Sequence, residues 1–215
     1  MFALISFSGI DCGGKSTQIE NVLAAFKASG KKCKVIHSRV GYTPMLESFK
    51  TLIRTDKSYS AEEKAAYRES INTNSKKRKL LLWLSIFDLS IYYGFYFRIV
   101  ELFGTTILAD RYFWDSYIDL KMKYPDVNYE KWLVWKWCKS VFQKPEHSSI
   151  YVIPAEVSMY RSTLKEEPWP EPIEVRETRI NLYMEEIENG RWANVIDATD
   201  SIQAVFNKTM EIIKK

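Results

Sequence analysis

The chain has 215 residues, 46% of them hydrophobic and 27% charged, with a net charge of +4. Such a length gives one large domain with a sizeable core, and such a composition is ordinary for a soluble protein. The positive charge is mild and mixed along the chain, which argues against a nucleic-acid partner and is accounted for by a small anionic substrate.

Residues Phe2 to Phe7 form a short apolar run of the kind a buried parallel strand uses. The chain runs into it with neither a basic leader nor a cleavage site, so no signal peptide is expected. Directly after it, Gly9, Gly14, Lys15 and Ser16 fall on the G-x-x-x-x-G-K-[ST] pattern of a phosphate-binding loop. Gly9, Gly13 and Gly14 let the backbone approach a polyphosphate closely. The backbone N–H groups of the loop and of the helix start, Ser16 and Thr17 included, then face the anion. Lys15 reaches the terminal phosphates and Ser16 holds Mg²⁺. Gln18 to Phe26 carries Ile19, Val22, Leu23 and Phe26 at helical spacing, and Ser29-Gly30 ends that helix.

Lys32 to His37 reads as the second strand, which completes a βαβ unit and fixes the class as α/β with a parallel sheet. Ser38 to Pro44 is a turn-rich loop at a strand's carboxyl end, where open α/β sheets bind ligands. A short helix follows at Met45 to Ile53, and Ser60-Ala61-Glu62-Glu63 is a capping box that opens a helical region reaching about Phe103, parted near Asn72-Thr73-Asn74. Lys76-Lys77-Arg78-Lys79 reads as a solvated turn of that helix rather than a phosphate contact. Leu80 to Phe97 is nearly long enough to span a bilayer. Asp88 would sit in mid-membrane at a cost of ~2.5–3.5 kcal/mol, so a helix packed inside the protein is the expectation and no membrane partner is predicted.

Thr105 to Ala109 is an apolar strand that ends in Asp110, an arrangement that sets a carboxylate beside Mg²⁺. Phe113 to Lys123 is predicted helical, broken by Pro125 to Asn128. Tyr129 to Phe142 is a further helix whose tryptophans, Trp132, Trp135 and Trp137, read as core or interface anchors. Ser148 to Ile153 is the fourth strand, and Pro154-Ala155-Glu156 opens a helix containing Arg161. Lys165 to Pro172 is a proline-rich surface loop. Ile173 to Glu188 is a helix with Arg176 and Arg179, Asn194 to Asp197 is the fifth strand, and Ser201 to Lys215 is the last helix. Cys12, Cys33 and Cys138 have no metal or disulfide spacing and suit a reducing cytosol. A GTPase-like switch is disfavoured, since Asn207-Lys208-Thr209-Met210 stops short of a guanine motif and no Asp-x-x-Gly follows a strand.

In this order the chain resembles the thymidylate kinase family over nearly its whole length. The carriers are Phe7-x-Gly9-x-Asp11-x-x-Gly14-Lys15-Ser16-Thr17-Gln18, Arg39 with Gly41-x-Thr43-Pro44, Asp110-Arg111-Tyr112, and Val195-Ile196-Asp197-Ala198. The resemblance implies a P-loop NTPase fold, with a five-stranded parallel sheet and helices on both faces. It implies ATP and Mg²⁺, transfer of the γ-phosphoryl group to a nucleoside monophosphate such as dTMP, and a cytoplasmic enzyme; the long aromatic helix reads either as a homodimer face, as in the family, or as packed core.

Carried over at matched positions, Asp11 faces the acceptor and Arg39 and Arg111 hold its phosphate, with Tyr112 beside them. Lys15 neutralises the transferring group, Ser16 and Asp110 hold the metal, and Asp197 and Ala198 lie against adenine. Arg161, Arg176 and Arg179 are lid candidates in a segment at about residues 161–179; as an alternative, Arg176 and Arg179 are surface charges facing Glu174 and Glu177. Two departures bear on the acceptor. The family's base-recognising Asp-Arg pair matches Asp88-Leu89 here, and where the family has a small polar residue and then a tyrosine this chain has Phe113-Trp114-Asp115-Ser116-Tyr117-Ile118-Asp119, a run that looks more like a divergent thymidylate-kinase-like branch and that brings in Asp115 and Asp119. These two carboxylates share a helix face and read either as acceptor contacts, one of them a general base, or as charges favoured by the helix dipole. A sugar or nucleoside acceptor, or a nucleotide-binding protein without turnover, therefore stands beside the nucleoside monophosphate reading.

Overall fold

A computed structural model of the protein describes residues 4–40, 75–166 and 170–214. The helix at Met45 to Ile53, the capping box at Ser60 and the break near Asn72 all lie outside the described residues. The chain divides into two compact units, one of residues Met1–Arg39, Arg98–Lys123 and Lys144–Lys215, the other of Val40–Phe97 and Tyr124–Gln143.

The first unit contains the five-stranded parallel sheet expected from the sequence. Its strands are β1 (Leu4–Ser8), β2 (Cys33–His37), β3 (Thr106–Asp110), β4 (His147–Val152) and β5 (Asn194–Asp197), in the order β2-β3-β1-β4-β5. β1 and β3 sit inside the sheet and are buried along both faces, with most of their residues apolar. Leu4, Ile5, Phe7, Ile107 and Leu108 are all buried. Each contributes roughly 1.5–3 kcal/mol relative to exposure. In the ladder Phe7 pairs with Asp110, His37 also pairs with Asp110, and Ser8 pairs with Ile150. The carboxyl ends of β1, β2 and β3 are thereby brought level.

Helices cover both faces of the sheet: α1 (Lys15–Ala28), α4 (Phe113–Lys123), α6 (Ala155–Leu164), α7 (Ile173–Glu188) and α8 (Ile202–Ile213), numbered with those of the second unit below. α1 starts three residues before the expected Gln18, because the loop turns straight into it through Gly14 at φ +84°. It buries Ile19, Val22 and Phe26 and ends at Ser29, followed by Gly30 at φ +74°. α4 and α7 occupy the predicted residues.

The second unit holds α2 (Ser75–Ile91), a π-helical turn at Tyr92–Tyr96, a 3₁₀ turn at Tyr129–Lys131 and α5 (Leu133–Val141). The π turn runs on into α3 (Phe97–Leu102). Neither irregularity is legible as helical periodicity. At the π turn the Tyr93 carbonyl accepts from Gln143 N at 3.1 Å, and a Cβ on Gly94 would crowd Val141. The helix expected over Tyr129 to Phe142 is split instead, because Trp132 is extended. That break lets the buried Tyr129 and Trp135 rings meet edge to face at 5.3 Å. Ser75–Leu102 is long and apolar enough to cross a membrane, but half of its most apolar window is buried in the protein, with Leu82, Ile86, Asp88 and Leu89 on the buried face. The basic run at its start is solvent-facing, and Arg78 pairs with Asp126 at 2.7 Å.

Gly9 has no room for a side chain. It has φ +132°, and a Cβ there would collide with the Tyr151 carbonyl oxygen of β4. Gly9→Ala is therefore expected to destabilise the protein by about 3 kcal/mol, read as a lower midpoint in urea unfolding. An unchanged midpoint would mean that the loop does not need this conformation.

Candidate active site

A cavity of about 690 Å³ opens at the carboxyl ends of the strands of the first unit, within the size range of small-molecule sites. It is lined by residues Asp11 to Gln18 of the glycine loop, by His37, Asp110 and Arg111, and by Arg161, Lys165, Ala198 and Asp200. Gly13, Gly14, Lys15, Ser16 and Thr17 thus lie together on one wall. The loop is held by its own backbone, Gly13 N donating to Ile10 O at 3.3 Å, and Cys12 takes a left-handed φ of +58°. The Lys15 ammonium is buried and donates to the Ile10 carbonyl at 2.6 Å. Burial pulls its pKa down to about 8, with Arg111 adding to the effect and Asp11 and Asp110 opposing it.

Asp110 closes β3 against this wall. Its Oδ2 accepts from His37 Nδ1 at 3.0 Å. Burial raises the carboxyl, but the His37 bond and the Lys15 charge outweigh that and keep it below the ordinary carboxylate range. Its other oxygen, Oδ1, is buried and has no hydrogen-bond partner among the described residues. A half-buried, half-used carboxylate lining the same cavity as the exposed Ser16 fits a hard cation that takes oxygen ligands, so these residues suit Mg²⁺. His37 was not singled out from the sequence; its position as the last residue of a strand is the signal that could have found it.

Arg111 has φ +66°, and its backbone N–H donates to the Phe7 carbonyl at 2.9 Å, which turns its side chain back toward the loop. The guanidinium donates to Asp11 Oδ1 at 2.5 Å and to the Tyr183 hydroxyl at 3.3 Å, and its side chain is only 4% exposed. Burial would lower its pKa, but Tyr183, Asp11 and Asp115 raise it above the ordinary value, so it is permanently charged. Burial also raises the Asp11 carboxyl, but Arg111 and Lys15 reverse this and hold it at about 2. Arg39, exposed beyond β2, adds to that field.

Asp115 and Asp119 depart from expectation. Asp115 is buried, with 1% of its side chain exposed. Its Oδ2 accepts from Ser8 Oγ at 2.5 Å and Tyr112 N at 2.9 Å; its Oδ1 accepts from Tyr183 OH at 2.6 Å and Gly9 N at 3.2 Å. Both oxygens are used, so the general-base role is corrected: the carboxylate is a structural acceptor. Its bond to Tyr112 N is the acidic half of a capping box, three residues past the cap. Asp119 forms an ion pair with Arg179, which also donates to Glu171 at 2.8 Å.

The arginines divide in the same way. Arg161 lines the cavity, donating to Ala198 O at 2.9 Å and Cys12 O at 3.5 Å. Arg176 is buried away from the cavity lining and donates to Ser158 Oγ, to Ser162 Oγ at 3.1 Å and to Glu171 O at 3.0 Å. Ser158 in turn donates to the Asp11 carbonyl at 2.8 Å. Neither Arg176 nor Arg179 is a surface charge facing Glu174 or Glu177, which corrects that alternative. Pro168 and Trp169 of the intervening loop lie outside the described residues.

Ala198 borders the cavity, whereas the Asp197 side chain caps Thr199 at 2.9 Å and is exposed. Tyr112 is buried at the start of α4. Asp88 and Leu89 are buried in α2 of the second unit. Tyr183 and Ser158 were missed at the sequence level. Arg176, Arg179 and Tyr183 share an i, i+3, i+7 face of α7, and that spacing is the signal that could have exposed Tyr183.

The thymidylate kinase family model matches residues 7–209. The chain belongs to the thymidylate kinase family. No curated protein matches it. Membership assigns the class of reaction, ATP-dependent phosphoryl transfer to a nucleotide monophosphate, and the cavity is lined by the glycine loop together with Asp110 and Arg111.

The Asp11 pair has a pH signature. Its folded pKa, about 2, lies below the ordinary carboxylate value of 3.8, so its stabilisation is fully present above pH 3.8 and is lost as pH falls through 2. The Tm gap between the protein and Asp11→Asn is expected to be largest near neutral pH and to shrink from pH 4 toward pH 2. A gap independent of pH over that range would show that Asp11 is not held by the two cations.

Proposed function

We propose that the protein is a Mg²⁺- and ATP-dependent kinase that transfers the γ-phosphoryl group to a nucleoside monophosphate, the whole chain acting as one kinase domain with a lid at about residues 161–179. The observation that carries the reading is the meeting of Lys15, Asp110 and Arg111 at one cavity. In this reading the loop from Gly9 to Thr17 binds the ATP phosphates, and Ala198 with Asp197 borders the base. Lys15 and Arg161 offset charge that spreads over the transferring group. Arg111 and Arg39 draw in the acceptor phosphate, and Asp11 takes an acceptor hydroxyl. Ser16 and Asp110 would hold Mg²⁺, which supplies charge neutralisation on the phosphate oxygens. Phosphoryl transfer needs little covalent help, so positioning and electrostatics provide most of the rate. Water competes as acceptor, which gives a closing lid its use.

Thymidylate is a weak acceptor in this reading. Leu89 stands where the family's base-recognising arginine is expected, and it is packed in the second unit's core. One observation favours a second reading, a neutral hydroxylated acceptor such as a nucleoside or sugar: Arg111 is already paired with Asp11 and lies 3.7 Å from Asp115. Asp11, held at about 2, is however a weak base for activating an alcohol, so the nucleoside monophosphate ranks first.

The test is an acceptor panel with ATP and Mg²⁺, read by mass spectrometry: nucleoside monophosphates, nucleosides, and free and phosphorylated sugars. A nucleoside diphosphate formed from a monophosphate other than thymidylate is the expected product. A phosphorylated sugar or nucleoside would select the second reading, and ATP binding with no transfer would sink both. Lys15→Ala is expected to lower transfer by at least roughly a hundredfold with an unchanged circular-dichroism spectrum. Undiminished turnover would remove Lys15 from the mechanism.

A further inference from the structure

We propose that Asp115 and Tyr183 are a positioning pair that fixes the Arg111 guanidinium against Asp11 and ties its placement to that of the glycine loop. The inference rests on the kinase reading only for its kinetic consequence; the geometry stands by itself.

An arginine side chain has many rotamers, and a guanidinium turned away from the cavity would serve no phosphate. Here one side is fixed by Asp11 at 2.5 Å. On the other side the Asp115 carboxylate is 3.7 Å away. The Tyr183 hydroxyl fills that gap, accepting from Arg111 Nη1 at 3.3 Å and donating to Asp115 Oδ1 at 2.6 Å. Tyr183 is buried, and its ring packs on Trp192 at 5.6 Å. Burial first, and Asp115 second, raise the phenol well above its ordinary pKa, so it stays a donor to the carboxylate.

The carboxylate that orients the phenol is the same one that accepts from Gly9 N, Ser8 Oγ and Tyr112 N. One buried charge thus sets both the entry of the glycine loop and the far side of the arginine. Tyr183 also brings α7 into the network, the helix that carries Arg176 and Arg179 toward α6 and Asp119. A displacement of α7 would be felt at Arg111 through this hydroxyl. A merely structural tyrosine would satisfy its hydroxyl on Asp115 and leave the guanidinium alone.

Tyr183→Phe removes the bridge and keeps the ring, so it is preferred to Asp115→Asn, which would set an amide against four donors. Two readouts decide. In arginine-selective ¹⁵N spectra of the full chain, the Arg111 guanidinium, identified by its loss in Arg111→Lys, is expected to give resolved, slowly rotating Nη signals that merge or broaden in Tyr183→Phe. In steady-state kinetics Tyr183→Phe is expected to lower kcat about tenfold with the KM for ATP within about twofold, and to cost nothing further in the Arg111→Lys background. Unchanged Arg111 signals, or an equal kinetic loss in both backgrounds, would overturn the proposal. If the parent protein transfers to no acceptor, the kinase reading fails and the spectra alone decide the positioning role.

Discussion

Phe7 lies opposite Asp110 in the parallel ladder between β1 and β3, and His37 lies opposite the same residue from β2. This register brings a glycine loop, an aspartate and an arginine that are about a hundred residues apart to one edge of the sheet. β1 and β3 are covered on both faces over nearly their whole length, and the paired residues from Leu4–Ile107 to Phe7–Asp110 hold them in this register. With β1 and β3 aligned, Arg111 N meets Phe7 O, and the left-handed turn at Arg111 follows.

The edge so assembled is crowded with charge. Lys15, Arg111, Asp11 and Asp110 are close enough to shift one another, Asp115 adds its charge beside Lys15 and Arg111, and Lys15, Arg111 and Asp115 are buried. Such a cluster is costly unless every group is bonded. Asp115 meets that condition with four donors, Arg111 with Asp11 and Tyr183, and Lys15 with a backbone carbonyl. Asp110 Oδ1 is left over, with no hydrogen-bond partner among the described residues. The arginines of α7 are bonded to Ser158, Ser162, Asp119 and Glu171 rather than to solvent, although the buried Arg179 Nε has no partner among the described residues.

Local chemistry made much of this legible in the sequence. The strand–loop–helix around Gly9 to Thr17, the aspartate at the end of an apolar strand, and the bounds of α4 and α7 all rest on patterns shorter than twenty residues. What was illegible depends on partners distant in the chain. Asp115 and Asp119 stand four residues apart on one helix and read as a matched pair, yet one is claimed by Ser8, Gly9 and Tyr183 and the other by Arg179. Tyr183 carries no motif, and its role exists only because α7 brings it to Arg111. The π turn at Tyr92–Tyr96 and the extended Trp132 similarly follow from side-chain packing, to which helical periodicity is blind.

The central claim is that the glycine loop, Asp110 and Arg111 form one polyphosphate site. Hydrogen exchange with and without a non-hydrolysable ATP analogue and Mg²⁺ tests it directly. The account predicts new protection in residues 9–17, at 110–112 and around Ala198, all at the same half-saturating concentration. Protection confined to other segments, or appearing in the loop and at Asp110 with different half-saturation, would contradict it.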